Sequence, residues 1–152
     1  MKKLFFGILA SVVIVACTIS DKKTSATGDA AMASNPLMDS INFTTIQWLD
    51  STFKNLGKVN EGQKVEVTFF FKNTGDKPLI ITSATASCGC TVPSPPKEPI
   101  AAGQEGKITA EFNSQGRPGF NTKEIFVTAN TKPSISHTLT FQVEVEKVDI
   151  KN

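Results

Sequence analysis

The feature that most constrains this chain is a period-two pattern in three separate stretches, with apolar residues at every second position. Val65, Val67, Phe69 and Phe71 alternate with Glu66, Thr68, Phe70 and Lys72; Ile108, Ala110 and Phe112 alternate with Thr109 and Glu111. In the third stretch Leu139, Phe141, Val143 and Val145 alternate with Thr140, Gln142, Glu144 and Glu146. Side chains two apart share one face of a strand, so a period of two marks strands with one face buried and one wet. Further strands are predicted at residues 45–49, 79–86 and 123–129, separated by turn clusters at 73–76, 113–119 and 130–133. No stretch carries the helical period over a useful length. About seven short strands with polar turns predict an all-β, two-sheet antiparallel sandwich over residues 41–152, some 110 residues and one small domain. With 11 Phe, no Tyr and a single Trp, its large core side chains are ones that pack without a polar handle.

The amino terminus sets the compartment. Lys2 and Lys3 precede an apolar run at residues 4–16 that is too short for the roughly 20 residues a spanning helix needs. The run ends Ile14-Val15-Ala16-Cys17, which resembles a bacterial lipobox. That resemblance implies cleavage after Ala16 and acylation of Cys17, so residues 1–16 are expected to be a signal peptide. Two or three acyl chains, palmitate among them, hold a protein to a membrane where one chain does so only marginally. Residues 17–40 are rich in Ser, Thr, Ala, Gly and Asp and cannot bury enough surface to order themselves; they are expected to form a lipidated, flexible tether. Thr18 after the cysteine resembles lipoproteins sorted to the outer membrane rather than the inner.

Charge narrows the partners. Losing Lys2 and Lys3 takes the balance from 16 basic against 14 acidic residues to 14 against 14. A chain with no net charge and no basic track lacks the sequence-independent attraction for phosphates, so no nucleic-acid partner is expected.

Catalysis finds little support. His137 is the only histidine, no Gly-x-Ser-x-Gly elbow supplies a nucleophile, and the carboxylates fall mostly on turns or outward strand positions. Gly103 and Gly106 read as turn glycines. The chain is expected not to be an enzyme and to need no cofactor. Residues 91–99 carry Pro93, Pro95, Pro96 and Pro99 and cannot be a central strand; they are expected to run as polyproline II, as a crossover between the sheets or a docking surface.

One constellation has chemistry in it: Cys88-Gly89-Cys90. In an extended segment the two thiols project to one side with their Cα atoms roughly 6.5 Å apart, at the long end of disulfide geometry. Closing the ring then requires a kink, which Gly89 permits. Three readings stay open: a packed pair without further use, a redox-active pair in a labile disulfide, and a pair of thiolates for a soft ion such as Cu(I). No confident metal site is expected.

The run Phe69-Phe70-Phe71-Lys72-Asn73-Thr74-Gly75-Asp76-Lys77-Pro78-Leu79-Ile80-Ile81, followed by Ser87-Cys88-Gly89-Cys90-Thr91-Val92-Pro93 and by Pro99-Ile100-Ala101-Ala102-Gly103, resembles the DUF1573 family. The resemblance covers residues 48–148. It implies an immunoglobulin-like domain, similar to the Hydin, ASPM and major sperm protein group, in an extracytoplasmic protein that is often a lipoprotein. Taken together, the expected protein is a lipid-anchored binding or scaffolding module of the bacterial cell envelope with an envelope protein as partner. The alternative is a thiol-redox or copper-handling protein that uses Cys88 and Cys90.

Overall fold

The computed structural model describes residues 40–148, which form two four-stranded sheets packed face to face. After a single 3-10 turn at Ser40–Asn42 come β1 (Ile46–Trp48), β2 (Phe53–Asn60), β3 (Lys64–Asn73), β4 (Ile81–Ala86), β5 (Thr91–Ser94), β6 (Glu105–Asn113), β7 (Gly119–Ala129) and β8 (Ser136–Glu146). One sheet has the order β1-β3-β6-β5 and the other β2-β8-β7-β4. The described strands number eight rather than about seven, and β2 and β5 are the two that lie where no strand was expected. β1 pairs with β3 antiparallel, whereas β2 pairs with β8 parallel, so the chain switches sheets between them. This is an immunoglobulin-like sandwich.

The three alternating stretches became β3, β6 and β8, and their apolar faces meet between the sheets. Phe69, Phe71, Phe112 and Phe141 are wholly buried, as are Ile108, Ile125, Leu139 and Val143. Phe112 meets Phe141 edge-on with ring centroids 5.9 Å apart, joining the central strands of the two sheets. Gly106 is not a turn glycine. It lies in β6 opposite Phe71, whose ring occupies the space where a side chain would stand: an added Cβ would come to 2.5 Å of Phe71 Cζ.

Two buried asparagines tie the loops at one end of the sandwich. Asn73 accepts from Thr44 Oγ1 (2.7 Å) and the Gly75 N–H, and donates to the carbonyls of Lys77 (2.7 Å) and Ile100 (2.9 Å). Asn130 accepts from the Ile80 N–H and donates to the carbonyls of Asn42 and Pro78. An amide offers two donors and two acceptor lone pairs, so Asn73 is fully used. Among the described residues no buried side-chain nitrogen or oxygen lacks a partner.

The proline-bearing segment departs from expectation. Thr91–Ser94 pairs with β6 as an edge strand, with Pro93 opposite Ala110; an edge strand tolerates a missing N–H on its open side. The crossing between the sheets is made just upstream, at residues 87–90.

Candidate functional site

The cysteine pair sits on that crossing, between edge strand β4 of one sheet and edge strand β5 of the other. Backbone hydrogen bonds fix both of its ends. The Ser87 N–H donates to Glu124 O (3.0 Å) and the Glu124 N–H to Ser87 Oγ (3.2 Å), which anchors the start to β7. At the far end the Asn113 N–H donates to Cys90 O (2.9 Å), and Thr91 is in register with Phe112. Between these anchors the Thr91 N–H donates to Cys88 O (3.3 Å), making a bend of the segment rather than an extended run.

The bend brings the two Cα atoms to 5.3 Å, and Cys88 and Cys90 are joined as a disulfide. That separation lies within the ordinary disulfide range, below the extended-chain value. The two sulfurs are placed differently. Cys90 is 7% exposed and belongs to the core, whereas Cys88 is partly exposed and only packs against it. Thr91 Oγ1 stands 3.6 Å from Cys88 Sγ and 3.9 Å from Cys90 Sγ. Closing a ring over one intervening residue removes little entropy from the unfolded chain, and the backbone bonds hold the loop on their own account. While joined, the sulfurs offer no thiolate to Cu(I), so the copper reading requires prior reduction. Among the described residues no group of three or more His, Cys, Asp or Glu is placed to hold a metal ion.

His137, the other residue with catalytic potential, is not brought near the pair. It is the second residue of β8, its ring packs edge-on against Trp48 at 5.9 Å, and its Nε2 lies 2.8 Å from Thr131 Oγ1. Thr131 Oγ1 donates to Ser134 O, so Nε2–H donates to Thr131. Burial holds the His137 pKa below the ordinary imidazole value. The arrangement is that of a packing residue. Ala16 and Cys17 lie outside the described residues.

A second surface joins part of the proline segment, for which a docking surface was one expectation, to residues of β3 and β6 that were not singled out. On the outer face of the β1-β3-β6-β5 sheet, Phe70 (45% exposed), Glu105, Gly106 and Lys107 line one shallow hollow, and Ser94, Pro95, Pro96, Lys107 and Thr109 line another. Lys107 lines both. Val92, 63% exposed, projects from β5. Phe70 alone breaks the polar side of the β3 alternation, and beside the prolines that irregularity was the further signal available in the sequence.

A family profile described as a protein of unknown function, DUF1573, matches residues 46–145. The chain belongs to the DUF1573 family. A search of curated proteins finds no significant match. Among solved structures, the DUF1573 chain is similar to a protein of unknown function from Porphyromonas gingivalis W83, with a TM-score of 0.60 and 14% identity, over 73% of this chain and 51% of that one. It is also similar to a family 123 glycoside hydrolase from Clostridium perfringens, with a TM-score of 0.52 and 13% identity, over 69% of this chain and 28% of that one. A third is PapD-like domain 7 of human CEP192, with a TM-score of 0.49 and 15% identity, over 72% of this chain and 89% of that domain. The DUF1573 chain therefore spans about half of the first of these proteins and under a third of the second. At these identities the first two likenesses are of fold alone.

Proposed function

We propose that this protein is a non-enzymatic binding or scaffolding module of the bacterial cell envelope, held outside the cytoplasm by lipid on Cys17, with a protein rather than nucleic acid as its partner. The observation that carries the reading is the pair of hollows on the outer sheet face that share Lys107. Phe70 at one side, the Pro95-Pro96 pair at the other and the Lys107 ammonium common to both make a partly apolar surface with one cation, and the Glu105 carboxylate lines the Phe70 side. A large apolar side chain beside prolines, with one ammonium and one carboxylate at hand, suits a protein segment that buries apolar groups and carries polar groups around them. The lipobox-like Ile14-Val15-Ala16-Cys17 supports the anchor, and the neutral balance beyond residue 16 supports the exclusion of nucleic acid.

The test places a photo-crosslinking residue at position 107 of the full chain in cells, and another at position 144 on the opposite sheet face. Adducts of defined mass are expected from position 107 and not from 144, and Phe70→Ser should abolish them. Equal adducts from both faces, or adducts that persist in Phe70→Ser, overturn the docking surface. Intact-mass analysis of membrane fractions tests the anchor separately: a chain without lipid on Cys17 overturns it.

A further inference from the structure

We propose that the Cys88–Cys90 disulfide is a thiol–disulfide exchange site in which Cys88 is the sulfur attacked and Cys90 the sulfur that leaves, with a dithiol as the reacting partner. The inference is independent of the docking surface and rests on how differently the two sulfurs are placed.

Exchange proceeds by a thiolate approaching a disulfide sulfur through a mixed-disulfide intermediate, and access decides which sulfur is attacked. Cys88 is partly exposed, and Cys90 is 7% exposed within the core. Gly89 between them has nothing within 4 Å of the position a Cβ would take, so the solvent side of the bend is open to an incoming group. An in-line approach to Cys88 Sγ drives the departing electron pair inward, onto Cys90.

The partner's first thiolate forms a bond to Cys88 Sγ as the Cys88–Cys90 bond breaks, and the pair of electrons leaves on Cys90 Sγ, which takes a proton. The Thr91 hydroxyl, 3.9 Å from Cys90 Sγ and 3.6 Å from Cys88 Sγ, is placed to donate to whichever sulfur carries charge. The partner's second thiolate then attacks its own sulfur in the mixed disulfide, and Cys88 leaves as a thiolate and is protonated. The partner loses two electrons and two protons, and the cysteine pair gains both. Run in reverse with a partner disulfide, the same steps restore the Cys88–Cys90 bond.

The frame survives this cycle because it does not depend on the bond. The hydrogen bonds of Ser87 with Glu124 and of Asn113 with Cys90 O pin the bend from two different strands. Each involves backbone atoms or Ser87 Oγ and none involves sulfur, so reduction leaves the two thiols facing each other, poised to close again.

The experiment uses the full chain with peptide mass mapping, so that Cys17 is read separately. Reduced Cys90→Ser, which keeps Cys88, and reduced Cys88→Ser, which keeps Cys90, are each mixed with glutathione disulfide. Cys88 is expected to form its mixed disulfide at least about tenfold faster, as its greater access requires. Equal rates, or a faster Cys90, overturn the assignment, and Cys→Ala versions serve if a serine variant melts early. The oxidised wild type is then given dithiothreitol or a reduced two-cysteine peptide. Oxidation of dithiothreitol alone identifies small dithiols as partners, and oxidation of the peptide identifies protein thiols. Failure to oxidise either, or equal oxidation by the Cys88→Ser/Cys90→Ser variant, overturns the site.

Discussion

Two of the crossings between the sheets, at residues 49–52 and 87–90, are closed in opposite ways. At the second, a covalent bond joins Cys88 to Cys90 and the backbone is pinned at both ends. At the first, ordinary polar groups do the closing. Asp50 pairs with Lys54 and also accepts the Phe70 N–H, while Lys54 Nζ donates to Thr68 O and lies over the Phe69 ring. β1 covers only residues 71–73 of the ten-residue β3, so these side chains satisfy edge groups that no strand reaches. A charged side chain turned inward at an edge blocks pairing with another chain. The comparison teaches that the charged crossing covers an open edge, whereas the covalent one is also pinned by hydrogen bonds that involve no sulfur, which is what the proposed exchange requires.

Both crossings depend on the shared core, and breaking that core should erase the difference between them. Phe141→Ala removes the ring that meets Phe112 across the sheets; truncating a fully buried Phe costs about 3–5 kcal/mol. Chemical denaturation should show that loss, and an unchanged midpoint would refute the inward placement of β8. Asn73→Ala should cost less, about 1–3 kcal/mol, by stripping partners from the carbonyls of Lys77 and Ile100. The loss is expected in melting curves without a change in the sheet signal of circular dichroism.

The crossings themselves are compared by two further variants. Cys88→Ser/Cys90→Ser should lower stability by no more than about 1.5 kcal/mol, the chain-entropy value for so short a ring, and the protein should remain monodisperse. Lys54→Met should cost about 0.5–1 kcal/mol, since the pair is partly exposed. Unlike the cysteine variant, it should promote self-association in size-exclusion chromatography, because Thr68 O and the β3 edge lose their cover. Association by the cysteine variant and not by Lys54→Met would reverse the comparison.

The same contrast explains which parts were legible in the sequence. β3, β6 and β8 are central strands with one dry and one wet face, and their alternation is plain. β2 carries no such signal. Its register shifts between Asn55 and Lys58 around Gly57, whose φ of 72° only glycine adopts readily, and a bulge of this kind destroys period two. Lys54 is turned inward on the same strand, opposite to what its charge predicts. β5 was hidden because Pro93 forbids a central strand while permitting an edge. The Cys88–Cys90 pair was visible as a motif, but its bend was not, because the hydrogen bonds that hold the two ends of the bend involve Glu124 and Asn113, more than 20 residues away in sequence. Phe70 and Lys107 likewise come together only through the β3–β6 register.

The smallest expected effect concerns pH and belongs to the charged crossing. Trp48, at the end of β1 just before that crossing, is held between Phe71 (5.7 Å) and His137 (5.9 Å). Burial lowers the His137 pKa below its ordinary value of 6.5, so the unfolded chain binds the proton more tightly than the folded one. Stability is then full above about pH 6.5 and declines as pH falls through the unfolded pKa toward the depressed folded one. His137→Phe keeps a ring against Trp48 and removes the titrating group, so melting temperature should fall less between pH 7.5 and 5 in this variant than in the wild type. The disulfide crossing has no titrating partner of its own while the bond is closed, so Cys88→Ser/Cys90→Ser should leave the wild-type pH slope in place. A slope unchanged by His137→Phe would show that the proton is taken up elsewhere and that the Trp48 end does not set the acid limit.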